Sequence, residues 1–102
     1  MTMPTYDVED SFWRDWARLT KEEQRLFQLA RRKLVHDLKQ GKGIRGARQG
    51  LRIKGVQKRK DVWEMTWADD GRATFQLGAS ADPGDAHVIW RRIGGHEILD
   101  NP

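Results

Sequence analysis

The spacing of apolar residues changes at Gly41 and Gly43, and no other feature limits so strongly what this chain can fold into. Before those glycines the period is helical: Phe12, Trp16 and Leu19 recur at intervals of three and four, as do Leu26, Phe27, Ala30, Leu34 and Leu38. Ser11 stands where the first helix needs an N-cap, and Thr20 with Glu23 has the Thr-x-x-Glu spacing of a capping box. Beyond the glycines the period is two. Leu51 and Ile53 alternate with Arg52 and Lys54, then Trp63, Met65 and Trp67 with Glu64 and Thr66, then Ala73, Phe75 and Leu77 with Arg72, Thr74 and Gln76. Each run reads as a strand with one buried face. His87 to Ile93 is apolar on both sides near Ile89 and Trp90, as a central strand would be, and a short strand is expected from Pro4 to Glu9. Ala68-Asp69-Asp70-Gly71 has hairpin chemistry, and Ser80 to Asp85, with Pro83-Gly84, reads as a loop. The economical architecture is α+β, with an N-terminal strand and a helix hairpin packed on one face of a mainly antiparallel sheet. A chain of 102 residues holds material for one core, so a single domain spanning 1–102 is expected.

Composition removes several classes of chemistry. There is no cysteine, and the three histidines do not fall at metal-ligand spacing, so neither a metal nor a cofactor is expected. No window approaches the roughly 20 apolar residues of a membrane span, and Met1 to Asp7 lacks the regions of a signal peptide. A cytoplasmic protein without a membrane partner is the expectation. The net charge is only +4, but it is unevenly placed: residues 31–60 carry twelve of the nineteen lysines and arginines, opposed by Asp37 alone. Such a block is the electrostatic footprint of a phosphate-backbone binder, though a solvated helix end with a basic loop would look the same in sequence. If the alternating apolar residues face the helices, the other sheet face collects Arg52, Lys54, Glu64, Thr66, Arg72 and Thr74, with Arg91 or Arg92 joining. His96 follows in Ile93-Gly94-Gly95-His96-Glu97, while His36 and His87 read as structural.

The order of these pieces resembles the RelE/ParE superfamily of type II toxins. The resemblance is carried by Tyr6-Asp7-Val8-Glu9-Asp10-Ser11, Leu51-Arg52-Ile53-Lys54, Trp63-Glu64-Met65-Thr66-Trp67, Gly71-Arg72-Ala73-Thr74-Phe75 and Ile89-Trp90-Arg91-Arg92-Ile93-Gly94-Gly95-His96-Glu97-Ile98. The terminal pattern is most similar to the branch that cuts messenger RNA on the ribosome. That resemblance implies a metal-independent endoribonuclease in which the RNA 2′-hydroxyl attacks phosphorus, leaving a 2′,3′-cyclic phosphate. It implies Arg72 at the phosphorane, His96 as acid or base and Glu64 as a candidate base, with Arg45, Arg48, Arg52, Lys54, Arg91 and Arg92 on the RNA backbone. Implied partners are a cognate antitoxin protein, the ribosome and messenger RNA. Two alternatives stay open: a DNA gyrase inhibitor of the ParE kind, and a non-catalytic nucleic-acid-binding module. The chain departs from the RelE branch at Glu64 and Thr66, where that branch places lysines, and at Leu99 and Asp100, where many relatives carry an aromatic residue.

Overall fold

Helical periodicity and the capping box produce two helices, α1 (Asp10–Trp16) and α2 (Lys21–Lys39). The box forms as expected: Thr20 Oγ1 accepts from the Glu23 amide at 3.1 Å, and Glu23 Oε1 accepts from the Thr20 amide at 2.8 Å. The computed structural model describes residues 5–41, 43–57, 59–78 and 87–102. The loop expected at Ser80 to Asp85 lies outside the described residues, as do Pro4, Lys42 and Lys58. Among the described residues, β1 (Thr5–Val8), β2 (Lys54–Gly55), β3 (Val62–Thr66), β4 (Arg72–Leu77) and β5 (His87–Gly94) form one sheet in the order β1-β5-β4-β3-β2. All neighbours are antiparallel except β1 and β5. The architecture is therefore α+β, with a mainly antiparallel sheet.

One face of the sheet meets both helices. Phe12 from α1, Phe27 from α2, and Phe75 and Trp90 from the sheet are each buried, with ring centroids between 5.1 and 6.1 Å apart. Such tilted and edge-on aromatic pairs add about 0.5–1.5 kcal/mol each to the burial of their area. Leu34, Met65, Ala73 and Ile93 complete the same cluster.

Three local expectations are corrected. Ser11 is not the cap of α1, whose N-cap residue is Glu9 with no side-chain bond to the helix backbone. β1 pairs with β5 only as far as Val8 opposite Trp90, and past that point α1 takes over the strand's open edge. Ser11 Oγ donates to the Arg91 carbonyl at 2.6 Å, and Asp15 Oδ2 accepts the Ile93 amide at 3.1 Å. An unpaired edge is costly to leave dry, so the hydroxyl is used there instead of on the helix.

The expected strand through Leu51 to Lys54 is mostly a turn. Gln49–Leu51 is a 3₁₀ turn, Arg52 adopts a left-handed backbone at φ 49°, and pairing with β3 begins only at Lys54. Finally, the second face of the sheet is not open. A further 3₁₀ turn, His96–Asp100, packs on β4 and β5, and a Cβ built on Gly94, which pairs with Arg72, would meet Ile98. Ile98 thus covers the part of this face beside Gly94 and Arg72, and Glu64, Arg72 and Thr74 are all buried.

Candidate active site

Arg72 leaves the hairpin turn between β3 and β4 with its guanidinium folded back onto that turn. Its Nη1 donates to the carbonyls of Gly71 at 2.9 Å, Asp69 at 3.2 Å and Ala68 at 3.4 Å. Its Nη2 lies 3.0 Å from His96 Nε2. On the far side of the imidazole, His96 Nδ1 is 2.5 Å from Asp70 Oδ1. An arginine has only donors, so the Arg72 contact requires a bare Nε2, and the ring proton must sit on Nδ1, donated to Asp70. The three side chains therefore fix one tautomer of a neutral imidazole. The hydrogen bond from His96 also holds the Asp70 carboxyl below its ordinary range, helped by the charge of Arg72.

The backbone explains why these residues meet. The register sets Arg72 opposite Gly94, which brings the β3–β4 turn against the end of β5. A Cβ on Gly95 would meet the carboxylate oxygens of Asp70 and Glu97 inside van der Waals contact, so a larger residue there would displace those two side chains. A Cβ on Gly71 would meet the Trp67 ring at 2.6 Å. Sequence reasoning placed Arg72 and His96 together but took Asp70 for a turn residue alone. Its role becomes visible only once the strand register is known, since Asp70 and His96 lie 26 positions apart.

The remaining expected site residues are dispersed. Glu64 is 4 % exposed and pairs with Lys54 across β2 at 3.4 Å. Among the described residues, no hydrogen bond or ion pair joins it to Arg72 or His96. The cross-strand partner of Glu64 is Lys54, its register neighbour on β2. Arg48 is committed to Asp37, giving its backbone amide and Nε to Oδ2 at 2.9 Å each and Nη2 to Oδ1 at 2.8 Å. These bonds hold the Asp37 carboxyl well below its ordinary value. Arg92 grips Asp15 with Nε at 2.6 Å and Nη2 at 3.2 Å, and Arg91 donates to Gln76 at 2.7 Å. Arg45 and Arg52 are exposed, with no ion pair among the described residues. His36 approaches Asp37 at 3.4 Å, and His87 bridges β5 to Asp7 of β1 at 3.0 Å, both away from His96.

A hollow of about 640 Å³ beside the β3–β4 turn is lined by five carboxylates, Asp70 and Glu97 among them, against Arg18 and Arg92. His96, whose side chain is 56 % exposed, does not line that hollow and is open to solvent outside it. The described residues hold no cluster of ligands able to bind a metal ion, and no helix among them is long and apolar enough to cross a membrane.

No protein-family model matches the chain, and no curated protein matches it in sequence. Solved structures do match its fold. It is similar to a chain of the E. coli DinJ-YafQ toxin-antitoxin complex, at 12% identity over 95% of this chain and 97% of that one, with a TM-score of 0.68. It is similar also to the RelB-RelE antitoxin-toxin complex from Methanococcus jannaschii, at 9% identity over 93% and 95%, with a TM-score of 0.58. The YoeB/ParE toxin from Agrobacterium tumefaciens gives 14% identity over 90% and 98%, with a TM-score of 0.55. The chain has the fold of the RelE-like toxins, over nearly the full length of each.

Proposed function

We propose that this chain is the toxin of a type II toxin-antitoxin pair, acting as a metal-independent endoribonuclease that cuts messenger RNA on the ribosome and inhibits translation. The observation that carries the reading is the line Asp70, His96, Arg72, in which a carboxylate orients an imidazole whose free nitrogen sits 3.0 Å from a guanidinium. A neutral Nε2 is a proton acceptor, and the group beside it carries permanent positive charge. This is what cleavage through the 2′-hydroxyl requires. His96 Nε2 takes the 2′-proton as the 2′-oxygen attacks phosphorus, the bond from phosphorus to the 5′-oxygen breaks, and that oxygen takes a proton from solvent. The products are a 2′,3′-cyclic phosphate and a 5′-hydroxyl.

Arg72 serves the phosphoryl oxygens. A guanidinium has five N–H donors, and the internal bonds leave its Nε–H and one Nη2–H without a partner among the described residues. Its buried carbon stem and the turn carbonyls hold it in place before substrate arrives, which is how a charged donor stabilises a transition state without reorganising. Glu64 is not needed in this scheme. Arg45, Arg52 and Lys54 supply exposed charge for the RNA backbone, and a cognate antitoxin protein would silence the site. The fold neighbours in the DinJ-YafQ and RelB-RelE complexes support the pairing with an antitoxin.

The test is expression in a translating extract with primer extension across a reporter message. Cleavage should appear with the parent protein and fall about 10²–10³-fold with Arg72→Ala, the usual cost of losing one oxyanion-type donor. Intact transcripts accompanied by gyrase-linked DNA breaks would reject the nuclease and select the ParE-like alternative.

A further inference from the structure

A second group of arginines meets at the junction of α1 and β5, and the reading above has no use for two of them. Arg14 and Arg18 lie four residues apart on one side of α1 and its terminal turn, both exposed, with no ion pair among the described residues. They line a hollow of about 270 Å³ together with Arg91, Arg92, Glu9 and Asp15. A regular strand would send Arg91 and Arg92 to opposite faces. Here the pairing steps from Thr74 opposite Arg92 to Phe75 opposite Trp90, leaving Arg91 unopposed in a bulge, and both side chains line the same hollow. The wall arginines are fixed by Asp15 and Gln76, so the hollow keeps its shape. Like charges four apart on a helix repel, and in this hollow the carboxylates of Glu9 and Asp15 are already engaged by Arg91 at 3.5 Å and Arg92 at 2.6 Å, which leaves the charges of Arg14 and Arg18 unopposed among the described residues.

We propose that this hollow is an anion-binding subsite for RNA backbone phosphate, with Arg14 and Arg18 as the residues that close on it. The 3₁₀ turn His96–Asp100 leads from the catalytic histidine to Asn101, which lines the hollow. At a rise of roughly 2 Å per residue, the two places are about 10 Å apart, so one strand can engage both. The inference deepens the proposed function and rests on it for RNA as the source of the phosphate. Guanidinium forks suit phosphate oxygens, and the contact is independent of base sequence.

The test uses a fluorescein-labelled oligoribonucleotide carrying 2′-O-methyl groups, which cannot be cleaved, and fluorescence anisotropy at a series of salt concentrations. Arg14→Ala/Arg18→Ala should weaken binding about tenfold at 50 mM salt and flatten the log–log salt slope by about 1.4, two phosphates at about 0.7 each for a single strand. Arg14→Lys/Arg18→Lys should keep the slope, and circular dichroism should show all variants folded. An unchanged affinity and slope in the alanine variant overturns the subsite, and so does a parent protein that does not bind the probe. Loss of binding to a polyglutamate peptide, with RNA binding intact, also overturns it and assigns the hollow to a protein partner. RNA binding that depends on Arg14 and Arg18, in a protein that cleaves nothing in the extract, upholds the subsite while rejecting the nuclease.

Discussion

Replacing Asp70 by asparagine separates two jobs that a carboxylate beside an imidazole can do. It can choose the tautomer, and it can stabilise the imidazolium that forms when the ring takes a proton. When the first job is lost, activity falls by about 10⁴-fold, because the reactive nitrogen becomes protonated. Here the tautomer has a second guardian: Arg72 Nη2 sits 3.0 Å from Nε2 and cannot accept a hydrogen bond, so Nε2 stays bare even opposite an amide. Asp70→Asn should therefore lose only the charge, a deficit of about 10–10²-fold, as when an orienting partner is changed without flipping its histidine. Asp70 and His96 are 74% and 56% exposed, and solvent competes for the contact, which places the deficit toward the tenfold end. Single-turnover cleavage of ribosome-bound message gives the rate, and nitrogen chemical shifts of His96 give the tautomer. The double variant Asp70→Asn/Arg72→Ala should lose more than the product of the two single effects, because only there is the tautomer released. A 10⁴-fold loss in Asp70→Asn alone, or a parent protein whose Nε2 carries the proton, would refute the reasoning.

Gly95→Ala should displace the Asp70 carboxylate, which its Cβ would strike, and lower cleavage by as much as Asp70→Asn without touching the sheet core; equal activity in the two proteins is the check. Asp15→Ala removes the acceptor of Arg92 and of the Ile93 amide from a buried position, and should cost about 3 kcal/mol, the low end for breaking a buried pair because Arg92 keeps 25% of its side-chain surface in water. For a domain of this size that is a fall in Tm of about 12 °C or more, readable by thermal unfolding. Asp37 has its carboxyl held below the ordinary 3.8 by Arg48, so its contribution to stability is complete above that value and is lost as pH falls below about 4. Urea midpoints measured from pH 6 downward should drop more steeply for the parent than for Asp37→Asn, and parallel curves would count against the pair.

The fold was legible wherever one physical signal dominated. α2 follows from a four-turn apolar stripe plus a capping box whose two bonds are both made. β3, β4 and β5 follow from alternation, because one face of each must be dry. What was not legible depends on partners distant in the chain. Ser11 looks like a cap until the edge of β5, 80 residues on, is known to need a donor. Leu51 to Lys54 alternates like a strand, yet Leu51 is buried from a turn, and the left-handed Arg52 leaves only Lys54 and Gly55 to pair with β3. The sheet's second face looked open because nothing local says that Ile98 will fold back beside Gly94 at the end of β5.

The candidate site divides along the same line. Arg72 and His96 were singled out because each stands in a motif that resembles the RelE/ParE pattern, and the structure brings them within 3.0 Å of each other. Asp70 was missed because its pattern is that of a turn, and a turn residue acquires chemistry only from what the strand register sets against it. The basic block shows the converse. A sequence count treats every arginine as available, but Arg48 is held by Asp37 from eleven residues away and Arg92 by Asp15 from 77 away. Those two cations stiffen the scaffold and give their field to a fixed carboxylate, so they attract a phosphate chain weakly. Arg14 and Arg18, in the segment whose net charge is negative, have no such partner among the described residues. The electrostatic footprint of this protein is therefore set by which arginines remain unpaired after folding: among the described residues Arg45 and Arg52 keep part of it in the middle of the chain, and Arg14 and Arg18 add a second part at the end of α1.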